Sequence, residues 1–103
     1  MGNYLTYVYD KKPRGKVLRK LRAEYYDTDV TVWIGKRGLT EKVIEEIKRQ
    51  LENKKVIKIR VLKNAIVGKS RKEGLIEIAK KLVEKGLYVI DIRGYTILVS
   101  EKL

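Results

Sequence analysis

The stretch from Val30 to Leu62 constrains this chain more than any other. It opens on a β-branched and aromatic run, Val30 to Ile34, which reads as a strand. A loop with two glycines follows, Gly35-Lys36-Arg37-Gly38. From about Thr40 to Asn53, Val43, Ile44, Ile47 and Leu51 recur at helical spacing. Glu41 falls in the first turn, where a negative charge suits the helix dipole. The chain then alternates through "VIKIRVL", Val56 to Leu62, with Ile57, Ile59 and Val61 on one face and Lys58 and Arg60 on the other. Strand, helix and strand in that order predict a parallel pair joined by a right-handed crossover.

The other elements attach to that unit. Ile66, Val67 and Gly68 fall in a connecting segment without a clear pattern. Ser70-Arg71-Lys72-Glu73 then has the form of a capping box, in which the Ser70 and Glu73 side chains each satisfy a free backbone amide. It starts a helix with Leu75, Ile76, Ala79, Leu82 and Val83 directed inward, which Gly86 ends in the C′ position. Leu87 to Ile92 and Tyr95 to Val99 read as strands, and Arg93-Gly94 as the turn of their antiparallel hairpin. Upstream, Lys16 to about Tyr25 reads as a short helix with Val17, Leu18 and Leu21 along one face. Residues 1–15, with Tyr4, Tyr7 and Tyr9 and then Pro13 and Gly15, read as an N-terminal extension. The expected domain is single, 16–103, and its fold class is α/β: order α-β-α-β-α-β-β, a mixed four-stranded sheet with packed helices. Trp33 reads as a core residue on one sheet face, with an exposed platform for stacking or self-association as the alternative.

Charge narrows the function. Lys and Arg number 25 against 13 Asp and Glu, a formal balance of +12. Lys11 to Arg22 holds seven bases and no acid; Lys54 to Lys72 holds eight, again with no acid. Lys36 and Arg37 complete the clusters, whereas Thr40 to Asn53 and Glu73 to Gly86 mix both signs. So concentrated a surplus on a small domain points to a polyanionic partner, nucleic acid before anionic membrane. The absence of cysteine and histidine excludes disulfides, thiolate metal sites and the commonest proton carrier near neutral pH. Glu24, Asp27, Asp29 and Asp91 form no metal-binding motif, so no enzyme, metal or cofactor is expected. No apolar run approaches the roughly 20 residues that cross a bilayer, and the first charges follow the first apolar residues, the reverse of a secretory signal. The expectation is a soluble, cytoplasmic protein.

The glycine loop is the candidate site. A loop entering a helix exposes the first free N–H groups at the positive end of the dipole. Glycine lets a sugar-phosphate backbone approach with no side chain in the way. Arg37 can grip a phosphate with two N–H groups, and Lys36 acts as a mobile point charge. Such a site reads phosphate and carries no base code. A lone GxxG is also a common strand-to-helix turn; the acid-free stretches on either side favour the ligand reading. The dinucleotide and P-loop fingerprints are absent.

"IGKRGLTEKVIEEIKRQLENKKVIKIRVL" resembles the CRM domain, the RNA-binding module of YhbY-like proteins linked to ribosome maturation and of plant organelle splicing factors. The likeness is strongest from Val32 to about Lys63 and resumes in "VIDIRGYTILVS". Tyr95 stands where the resemblance leads one to expect a basic residue. The resemblance implies a fold similar to the C-terminal domain of translation initiation factor 3. It also implies RNA binding through Gly35, Lys36, Arg37 and Gly38, helped by Arg19, Lys20 and Arg22 of the first helix. Lys58, Arg60 and Lys63 extend that basic surface, and RNA, including ribosomal RNA or pre-ribosomal particles, is the implied partner. Alba chromatin and RNA-binding proteins share a β-α-β-α-β-β core and an early Ile-Gly-Lys, which keeps an architectural DNA- or RNA-binding role open.

Overall fold

The strand, helix and parallel strand forecast for Val30 to Leu62 are present in the computed structural model, which describes residues 28–101. The expected extension over residues 1–15 and the basic helix from Lys16 to about Tyr25, with Arg19, Lys20 and Arg22, lie outside the described residues. Strand β1 (Val30–Ile34) leads through the glycine loop into helix α1 (Glu41–Leu51), which returns to strand β2 (Ile57–Val61). A short 3-10 turn (Lys63–Ala65) precedes helix α2 (Arg71–Glu84), and strands β3 (Tyr88–Arg93) and β4 (Thr96–Ser100) close the fold. The sheet order is β1-β2-β4-β3. β2 lies parallel to β1 and antiparallel to β4, which also pairs antiparallel with β3.

Strand periodicity decides which side chains enter the core. Val32 and Ile34 of β1 are buried, as are Ile57, Ile59 and Val61 of β2, while Arg60 is exposed on the opposite face. Ile47 of α1 and Ile59 have no exposed surface, and each contributes roughly 1.5–3 kcal/mol by leaving water. Trp33 falls on the other side of β1 from Val32 and Ile34 and is 55% exposed, so it is not the core residue expected but takes the exposed position given as the alternative. In α2 the buried stripe is Leu75, Ile78, Ala79, Leu82 and Val83. Ile76, expected inward, is only half-buried, because it lies about 100° around the helix from Leu75.

The helix ends follow their caps. Thr40 precedes α1 as its N-cap, and its Oγ1 accepts from the Val43 N–H at 3.2 Å. At α2 both legs of the capping box form: the Glu73 N–H donates to Ser70 Oγ, and the Ser70 N–H donates to Glu73 Oε1, each at 3.1 Å. Gly86 follows α2 with φ +91°, the left-handed conformation that glycine adopts without a Cβ clash. Ile66, in the segment that carries no sequence pattern, is buried against Gly74 of α2.

Both edge strands are irregular. The β1–β2 register shifts between Val30 and Val32, and the β3–β4 register between Val89 and Asp91. At the first of these, Gln50 of α1 clamps the bulged Thr31: its Nε2 donates to the Thr31 carbonyl at 3.3 Å, and its Oε1 accepts from Thr31 Oγ1 at 2.6 Å.

Candidate nucleic-acid interface

Residues Gly35 to Gly38 form a tight turn, closed by the Gly38 N–H donating to the Gly35 carbonyl at 2.8 Å. Lys36 and Arg37 occupy its two corners and are exposed. The two glycines are there for different reasons. Gly38 has φ +72°, where a side chain would be strained. Gly35 does not lie in the left-handed region, and a Cβ there would meet Leu62 Cδ1 at 3.7 Å and Asn64 Oδ1 at 3.9 Å, ordinary contacts. Among the described residues, neither backbone conformation nor packing requires glycine at position 35.

The turn sits at the carboxyl end of β1, where neighbouring segments join it. The Leu62 N–H donates to the Ile34 carbonyl at 2.9 Å, which brings exposed Lys63 and Asn64 beside Gly35. The Val61 N–H donates to the Tyr95 carbonyl at 2.8 Å, which fixes the β3–β4 turn at the same end. There Arg71, the first residue of α2, holds its guanidinium 5.9 Å from the Tyr95 ring centroid and donates to the Gly94 carbonyl at 3.1 Å. A cation from α2 thus reaches the position at which Tyr95 replaces an expected basic residue. The carboxyl ends of parallel strands are where open α/β sheets bind ligands.

An open depression of ≈ 590 Å³ adjoins the turn, lined by Gly35, Lys36, Arg37 and Gly38 and by Lys42 and Val43 of α1. The cap uses the Val43 N–H, and helix geometry leaves the Glu41 and Lys42 amides without intrahelical partners. Glu41 also lines the depression, and its carboxylate is answered by Lys85 Nζ at 2.9 Å. Among the described residues that line the depression, Lys36, Arg37 and Lys42 are the cations. Among the described residues there is no group of three or more metal-binding side chains, and no helix is long and apolar enough to cross a membrane.

The fold divides the residues selected from the sequence. It brings Gly35, Lys36, Arg37, Gly38 and Lys63 together. Arg60 lies one strand away, paired in register with Trp33. Lys58 lies toward the other end of β2, in register with Val30; it is half-buried and shares a hollow with Asp91, Arg93 and Leu98. Lys42, Trp33 and Arg71 join the surface without having been selected. Strand parity pointed to Trp33 and first-turn spacing to Lys42; nothing local in the sequence pairs Arg71 with Tyr95.

The family model for the CRS1/YhbY (CRM) domain matches residues 14–99. The chain belongs to the CRS1/YhbY (CRM) domain family. A probable RNA-binding protein of Methanocaldococcus jannaschii is 36% identical over 95 residues, which cover 91% of this chain and 67% of the relative. The solution structure of a candidate RNA-binding protein from Staphylococcus aureus superposes on this CRM domain with a TM-score of 0.70 at 30% identity, covering 87% of this chain and 88% of the other. The mixed four-stranded sheet of the CRM domain is thus established by its own topology and by a solved relative.

Proposed function

We propose that this CRM domain is a non-catalytic RNA-binding protein that acts in ribosome assembly or RNA processing and holds the RNA backbone at Gly35–Gly38. Gly35 carries the reading: the described residues leave room for a side chain there, and its absence leaves the turn's amides and two exposed cations open to a phosphate. Lys63 and Arg60 continue the cationic surface on β2 and the turn after it. Lys58 on β2 and Arg19, Lys20 and Arg22 on the N-terminal side complete the proposed contacts. The relatives named for RNA binding support the choice of RNA, and the cationic surplus supports a polyanion.

The test is the double substitution Lys36→Glu with Arg37→Glu. Both side chains are exposed, so the thermal melt should stay nearly unchanged. On single strands log affinity falls with log salt by about 0.7 per phosphate contact, so losing two contacts flattens the slope by about 1.4. A folded double variant with parental affinity and slope would refute the loop assignment. Tighter binding of duplex DNA than of RNA, in direct competition, would move the reading to DNA architecture. Sequencing the RNA that co-purifies with the protein from its own cells tests the link to ribosome assembly.

A further inference from the structure

Trp33 is a large apolar side chain that the fold leaves in solvent. Burying Val32 and Ile34 sends it to the opposite face of β1, where it keeps 55% of its surface exposed. Among the described residues no second ring is stacked on it. Its in-register neighbour on β2 is the exposed Arg60, across a strand spacing of about 4.8 Å. On its other side a depression of ≈ 280 Å³ is lined by Thr31, Trp33, Lys42, Val43 and Glu46. Among the described residues the one acid lining that hollow, Glu46, is engaged within α1 by Arg49 and by Gln50 Nε2 at 2.8 Å. Lys42 and Val43 also line the depression beside the glycine turn, so the two hollows share a wall. Trp33 precedes Lys36 by three residues, at most about 10 Å of chain.

We propose that Trp33 is a stacking platform for one unpaired nucleobase of the same RNA strand whose backbone lies at Gly35–Gly38, with Lys42 and Arg60 facing the phosphates on either side of that base. The proposal rests on the RNA-binding reading above and adds the class of RNA. A base inside a duplex already has both faces stacked, whereas a base in a loop, bulge or single strand can offer one to an indole. Stacking accepts any base, so the platform selects unpaired RNA without specifying its sequence. A second copy of the chain fits this surface less well. It would bring its own cations against Lys36, Arg37, Lys42 and Arg60, and the Gln50 clamp on bulged Thr31 obstructs strand pairing along this edge.

Trp33 is the only tryptophan in the chain, so its fluorescence reports on the platform directly. Three probes of equal charge suffice: a single-stranded oligoadenylate, an abasic strand of the same length, and an RNA duplex. The oligoadenylate should quench Trp33, and the abasic strand and the duplex should not. Trp33→Ala should weaken oligoadenylate binding about tenfold, with an unchanged salt slope and an unchanged melt, and should leave abasic-strand binding as it was. Trp33→Phe should retain most of the affinity. Parental oligoadenylate affinity in Trp33→Ala, with binding lost in Lys36→Glu/Arg37→Glu, would overturn the platform and leave the loop reading standing. Parental affinity in the loop double variant would overturn both. A dimer seen by sedimentation that Trp33→Ala dissolves without changing RNA affinity would give the surface to self-association and overturn the proposal.

Discussion

Gly74→Ala sets helix propensity against packing. Gly74 lies inside α2, where glycine is about 1 kcal/mol less favourable than alanine, so propensity alone predicts a more stable protein. The neighbour reverses the sign. A Cβ at position 74 would stand 2.3 Å from Ile66 Cγ2 and 2.6 Å from Ile66 Cβ, far inside van der Waals contact. Ile66 has little freedom to move. It is branched at Cβ, it is 7% exposed, its N–H donates to the Lys63 carbonyl at 3.2 Å, and its carbonyl accepts from the Lys69 N–H at 3.2 Å. Relief would require α2 to part from the segment that follows β2. Overpacking of this kind costs about 1–3 kcal/mol, and the depth of the overlap places it in the upper half of that range. After the gain in propensity a net loss of about 1–2 kcal/mol remains, a fall in Tm of roughly 5–15 °C for a domain of this size. Urea denaturation of the parent, Gly74→Ala, Ile66→Ala and the double variant measures it. Ile66→Ala alone should cost about 2–3 kcal/mol, and the pair should cost less than the two single losses together, because the new methyl occupies space vacated by isoleucine. A Gly74→Ala protein as stable as the parent, or more so, would refute the account of Ile66 seated against a bare helix backbone.

The two glycines of the turn should separate stability from binding. Gly38→Ala should cost about 1–2 kcal/mol in denaturant because of its positive φ, while Gly35→Ala should unfold within about 0.5 kcal/mol of the parent yet bind RNA more weakly in an anisotropy titration. Ser70→Ala removes the side-chain acceptor that caps α2 and should lower stability by about 1 kcal/mol in the same urea assay. The hydrogen bond from Lys69 holds the exposed Glu77 carboxyl below its ordinary pKa, so the associated stabilisation is present above the ordinary carboxylate range and is lost as pH falls through the depressed value. In Lys69→Ala the Glu77 carboxyl carbon should titrate at higher pH by NMR, and an unmoved midpoint would refute the assignment.

Where local physics decides the outcome, the sequence was a good guide. Alternation in "VIKIRVL" placed Ile57, Ile59 and Val61 inside, and the serine and glutamate three residues apart marked the start of α2, because strand parity and capping involve only near neighbours. Trp33 departs from the core expectation because strand parity, set by buried Val32 and Ile34, puts it on the opposite face. The seat of Ile66 was invisible, since it depends on a glycine one turn into a helix that packs back on it. At the candidate site the turn itself was legible. Its surroundings were not, because Asn64 beside Gly35 and Arg71 over Tyr95 meet only through tertiary folding.

The kinked rims of the sheet bear on life beside a polymer. A protein gathered along a polyanion reaches local concentrations far above its average, a condition in which straight, flat outer strands invite neighbours to zip on and grow into fibrils. Extra residues interrupt the ladder near Thr31 and near Ile90, so neither border offers an unbroken row of pairing groups. Such edges would resist zipping onto a neighbour wherever copies were crowded along a polyanion.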